Sequence, residues 1–112
     1  MVARIASSVV VAALMRRAQG EGGFAAVLAK GDPTSGAIGV ILAEKGRKAR
    51  FLERLLQPDG HYSWQSSRDD VENDKEFNEF LDRRRKFDPD IWILELDIAS
   101  AERFAAEMNA VG

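Results

Sequence analysis

No cysteine occurs anywhere in the 112 residues, and histidine occurs once, at His61. These two absences remove disulfides, thiolate nucleophiles, iron–sulfur clusters and thiolate zinc sites, and a single imidazole cannot build a histidine-rich metal centre. Oxygen-ligated magnesium or calcium stays chemically open. Charge excess is also lacking: 16 Lys and Arg stand against 18 Asp and Glu, a formal net charge of -2. No bulk field therefore draws the chain to nucleic acid or to an anionic membrane, and either would need a local patch. The apolar run from Val9 to Met15 is cut by Arg16 and Arg17, well short of the roughly 20 residues a membrane span needs. Arg4 could serve as the basic start of a secretory signal. No small-residue cleavage site follows, however, and the paired arginines stand at the wrong end of the run. A soluble cytoplasmic protein is the expectation, with no cofactor and no internal repeat.

What the chain does contain is an ordinary globular balance, 46% hydrophobic and 30% charged. That length and balance suit one domain over residues 1–112, large enough to bury a core without staples. Its most informative stretch runs from Arg83 to Asp97, a basic helix end, a proline stop and an apolar strand tipped with acid. Residues 2–9 suit a short strand, and Ser8 is placed to cap a helix from about Val9 or Val10 to Gln19. Gly20, Gly22 and Gly23 end that helix, because glycine accepts the left-handed exit. Residues 24–30 and 37–45 are two apolar runs joined by Gly31-Asp32-Pro33-Thr34-Ser35-Gly36, which reads as a structural hairpin turn.

A third strand over 48–56 closes at Gln57-Pro58-Asp59-Gly60, and 61–65 alternates so that Tyr62 and Trp64 point inward. Residues 66–74 read as a loop whose last residue, Asp74, caps a helix over 75–86 with Phe77, Phe80 and Leu81 on one face. Pro89 forces that helix to end. Residues 91–97 form the last strand, apolar on both faces in its first half and so expected to be interior. Ser100 caps a final helix carrying Phe104, Ala105 and Met108. The expected architecture is α+β and two-layered, with a mostly antiparallel sheet of about five to six strands and three helices. Trp92, Phe104, Phe77 and Phe80 are expected in one core.

Several short motifs occur together in this order: Gly23-Phe24-Ala25 to Val27-Leu28, Lys30-Gly31-Asp32, Ser35-Gly36-Ala37, Arg83-Arg84-Arg85, Asp88-Pro89-Asp90-Ile91-Trp92, Glu95-Leu96-Asp97 and Ala101-Glu102-Arg103-Phe104. In them the chain resembles, over nearly its whole length, the small bacterial family called domain of unknown function 1491. The resemblance implies a single-domain bacterial protein and brings no activity and no functional residue with it.

Chemistry-bearing candidates are few. Helical geometry turns Arg84 inward among Phe77, Phe80 and Leu81, where a guanidinium needs a partner. Glu95 and Asp97 share one face of the next strand, so a bidentate pair with either is expected, and the same three residues are the ligand-binding candidates. The bland alternative is a frayed helix end with Arg84 reaching water. Asp88, Asp90, Glu95 and Asp97 do not make a magnesium site: the acid-x-lysine triplet of nucleases is absent, and Asp90 and Asp97 lie at opposite strand ends. Lys45, Arg47, Lys48, Arg50 and Arg54 form a basic stripe near Tyr62 and Trp64, a candidate surface for single-stranded nucleic acid. Leu52 and Leu56 share the face of Arg50 and Arg54, which argues against it. His61 follows a turn and lacks a nearby nucleophile. Gly20-Glu21-Gly22-Gly23 follows a helix and precedes a strand, the reverse of a phosphate loop. What is left is binding: an interaction module for another protein or for a second copy of itself, with an Arg84-centred enzyme second and nucleic-acid binding third.

Overall fold

The computed structural model describes residues 5–69 and 73–110. The elements run α1 (Ser7–Gly20), β1 (Phe24–Ala29), β2 (Ile38–Glu44), β3 (Arg47–Leu56), β4 (Tyr62–Asp69), α2 (Asp74–Phe87), β5 (Trp92–Asp97) and α3 (Ala101–Ala110). This is an α+β fold of three helices on one five-stranded, mostly antiparallel sheet in the order β1-β5-β2-β3-β4. Among the described residues the β5–β2 pair alone is parallel.

β5 lies inside the sheet, as its apolar character requires, and that placement changes the reading of its neighbours. It inserts between β1 and β2, pairing antiparallel with β1 and parallel with β2. β1 and β2 are therefore not a hairpin, and residues 30–37 cross the end of β5 instead. The turn chemistry had suggested local pairing. The both-face hydrophobicity of Trp92-Ile93-Leu94 demanded two neighbours, and burial won.

Helices cover both faces of the sheet, where a two-layer arrangement was expected. Leu94, Leu96 and Trp92 pack with Val40, Leu42 and Leu52 against α1 and α3, including Val11, Leu14, Phe104 and Met108. Ile91 and Ile93 pack with Ile41 and Phe51 against Phe77, Phe80 and Leu81 of α2. Trp92 and Phe104 thus share one core, and Phe77 and Phe80 belong to the other. Strand alternation divides β5 this way, because side chains two apart share a face while adjacent ones oppose.

Smaller boundaries also shift. Residues 1–4, half of the expected first strand, lie outside the described residues, and Ser7 and Ser8 already belong to α1. Its N-cap is Ala6 without a side-chain bond. The Ser7 and Ser8 amides instead donate to the carbonyls of Thr34 (3.1 Å) and Pro33 (2.9 Å). β4 extends to Asp69 where a loop was expected, since pairing with β3 carries its polar residues along as an edge. Asn73, rather than Asp74, caps α2 by accepting from the Glu76 amide at 3.1 Å. The Ser100 hydroxyl does cap α3, accepting from the Arg103 amide at 3.2 Å.

Candidate functional site

Arg84 turns toward the sheet, as helical spacing requires, but meets neither Glu95 nor Asp97. Its Nη1 forms an ion pair with Oε1 of Glu53 on β3. On this face α2 packs on β2, β3 and β5, and its Arg84 meets the carboxylate of β3; Gly39 of β2 stands between Glu53 and Ile93 of β5. Nearby, Phe51, Phe77 and Phe80 form an aromatic triad with centroid separations of 5.5 to 6.0 Å. Cations rim it: Arg68 stands 4.4 Å over the Phe80 ring, and Lys48 stands 5.9 Å from Phe77 while approaching Asp74 at 3.6 Å.

Asp97 is occupied by architecture. Its Oδ1 accepts from the Lys45 amide at 2.9 Å and its Oδ2 from the Gly46 amide at 2.6 Å. Lys45 and Gly46 have φ of 51° and 82°, the positive values that a tight two-residue hairpin turn demands at both central positions. A carboxylate from the parallel neighbour thus holds the β2–β3 turn. Glu44 does the same for α3, accepting from the Ala101 amide at 2.8 Å. Glu95 is half-buried on the α2 face, in register with Ala26 and Ile41, and joins no ion pair among the described residues.

The basic stripe does not form one surface. Lys48 lies against Phe77 on the α2 face, whereas the Arg54 guanidinium lies 4.1 Å over the Tyr62 ring, in a β3–β4 pair facing α1 and α3. Arg50 stands opposite Leu42, also on the α1/α3 side, and Lys45 and Arg47 sit at the turn. A register shift between Leu42 and Ala43 contributes to this split. Bulges leave no reliable mark in sequence.

The Gly31–Gly36 segment is a clamp. The Asp32 carboxylate accepts from the amides of Thr34 (3.1 Å) and Ser35 (2.8 Å) and from the Ser35 hydroxyl (3.2 Å). Those bonds, the Ser35 amide first, hold the Asp32 carboxyl below its ordinary value of 3.8. The Asp32 carbonyl receives the Trp92 indole at 2.8 Å, and the Gly36 carbonyl receives the Ser7 hydroxyl at 2.7 Å. A Cβ at Gly31 or Gly36 would stand 2.1 or 2.3 Å from the Asp90 carbonyl oxygen, so only glycine permits this approach. His61 sits at an exposed turn with Nδ1 3.6 Å from Asp59.

Two hollows flank the ends of β1. One, of ≈ 390 Å³, is lined by Lys30, Arg85 and Lys86 with Asp82 over a floor of Ala29, Pro89 and Ile91. The other, of ≈ 940 Å³, is lined at the opposite end by Glu21, Phe24, Glu44 and Asp97 with Lys45 and Arg47. Among the described residues no group of three or more acidic or histidine side chains is placed to hold a metal, and no helix is long and apolar enough to cross a membrane. The feature that sequence reasoning missed is the outer edge of β1. It was hidden because pairing partners, and hence edges, are a property of topology.

Comparison with curated proteins finds no match. A crystal structure of a DUF1491 family protein from Caulobacter crescentus CB15 is similar, with TM-score 0.78 and 30% identity over 90% of this chain and 94% of that one. The solution structure of protein Atu0922 from A. tumefaciens has TM-score 0.76 and 29% identity, over 91% of this chain and 92% of that one. The model of a protein family of unknown function, DUF1491, matches residues 5–106. With that match and the fold shared with the Caulobacter protein, the chain belongs to the DUF1491 family.

Proposed function

We propose that this domain is a protein-binding module that receives an extended segment along the free edge of β1. The observation that carries this reading is the condition of that edge. Phe24, Val27 and Leu28 are 63%, 42% and 48% exposed on a strand whose six residues, Phe24–Ala29, include no charge and no proline. Natural sheets normally blunt an outer strand with lysine, proline, a bulge or a covering element, and of these β1 carries the bulge between Val27 and Ala29. Among the described residues no side chain or loop hydrogen-bonds the backbone of Phe24–Ala29.

The opposite edge shows what protection looks like in this fold. β4 has the polar sequence YSWQSSRD, and the Asn109 side chain accepts from the Trp64 amide at 2.7 Å and donates to the Trp64 carbonyl at 3.0 Å. One edge is engaged at Trp64 by a side-chain amide, and the other offers backbone and apolar side chains together, the combination used in strand addition. Reading Arg84 with Glu95 or Asp97 as a reactive or ligand-binding set has less support, since Arg84 is engaged by Glu53 and Asp97 by the β2–β3 turn.

The test is selection of displayed peptides on the wild-type domain with counter-selection on Val27→Lys, followed by amide hydrogen exchange of the complexes. Peptides that protect β1 amides and fail to bind Val27→Lys are the expected outcome. Selected peptides that protect only other strands, or none at all, overturn the reading.

A further inference from the structure

The two ends of β1 differ in charge, and this asymmetry says which partner fits. At the Ala29 end, the hollow has three cations, Lys30, Arg85 and Lys86, against the single carboxylate of Asp82. None of those three cations has an ion-pair partner among the described residues. At the Phe24 end, the other hollow has three carboxylates, Glu21, Glu44 and Asp97, beside Lys45 and Arg47, and Arg103 reaches Glu21 at 3.5 Å. A strand with a cationic cluster at one end and carboxylates at the other matches a copy of itself only when antiparallel, because a parallel copy would set the two cationic clusters together.

We infer that β1 is the interface of a two-fold dimer in which the β1 strands of two copies pair antiparallel about Ala26, joining two sheets into one. This rests on the edge-strand reading above and names the partner as a second copy of this chain. A two-fold axis normal to the sheet requires opposed residues to share a face, and the register about Ala26 meets that condition. Ala25 then stands opposite Val27, and both face the α1/α3 layer through their β5 partners Leu96 and Leu94. Phe24 stands opposite Ala29 on the α2 side, because the register shift between Val27 and Ala29 returns Ala29 to that face. Small residues meet large ones in both pairs. Lys30 of one copy then comes beside Gly23 of the other, next to Glu21.

The interface is isologous, as two-fold contacts are, and one six-residue strand per copy makes it a weak one. Sedimentation equilibrium should show a reversible monomer–dimer transition at concentrations up to about 1 mM. Lys30→Glu and Glu21→Lys, both exposed positions, should each weaken the dimer by roughly 3- to 10-fold, and the doubly exchanged chain should regain affinity. The absence of native cysteine permits a geometric check. Ala26→Cys, facing its own copy across the axis, should form a disulfide dimer under mild oxidation, whereas Ala25→Cys, facing Val27, should not.

A wild-type chain that stays monomeric at about 1 mM overturns the self-pairing. So does a doubly exchanged chain that binds no better than either single variant. If self-pairing fails while selected peptides still protect β1, the edge remains a docking site for a different protein. If neither is seen, both readings fall.

Discussion

Arg84 on α2 and Glu53 on β3 form an ion pair across the α2 face of the sheet, with side chains 33% and 14% exposed. Glu53 is the more enclosed of the two, so the guanidinium serves chiefly to neutralise a carboxylate that the sheet and α2 partly remove from water. A half-open pair of this kind is worth little when intact and more when one member is stranded.

Arg84→Met should accordingly cost about 1 to 2 kcal/mol, mostly because Glu53 is left unpaired, and combining it with Glu53→Leu should recover part of that loss. Urea unfolding of the four chains of the cycle measures this. Strictly additive single effects would show that the pair contributes nothing.

Gly39 on β2 is the position where Phe51 passes. A Cβ there would stand 2.5 Å from the Phe51 Cζ, and Phe51 is itself fully buried against Phe77 and Phe80. The ring cannot retreat freely, so Gly39→Ala should destabilise by about 1 to 3 kcal/mol through overpacking, against the small gain that Gly→Ala gives by restricting the unfolded chain. An unfolding midpoint at or above that of the wild type would mean the triad yields at no cost.

Asp32 gives a pH dependence of defined sign. Its carboxyl is held below 3.8 when folded, by the amides of Ser35 and Thr34. A depressed folded value means the stabilisation is present above the unfolded value and is lost as pH falls through the folded one. Asp32→Ala should therefore melt at a lower temperature than wild type near about pH 7, with the gap constant down to the carboxyl's ordinary value of 3.8 and narrowing as the pH falls below it. A gap that stays constant into strong acid would show that the side chain's charge plays no part in the clamp.

Local patterns determined much of this protein directly. The three helices, five of the six runs read as strands, the glycine exit from α1, the Pro89 stop and the interior character of the last strand are written in spacing, because periodicity and turn chemistry act within a few residues. Arg84's inward direction was legible for the same reason. Its partner was not, since Glu53 lies 31 positions away in the chain and comes within reach only once α2 settles over the sheet. Pairing order, too, belonged to the tertiary structure. β5 inserts between β1 and β2 because only there does its two-faced apolar surface find a layer on each side, and that insertion undoes the hairpin that Gly31–Gly36 suggested. The same event makes β1 an edge. Residues such as Phe24 and Val27, which in sequence read as ordinary strand interior, became exposed because the sheet ends there, and no local signal records where a sheet ends.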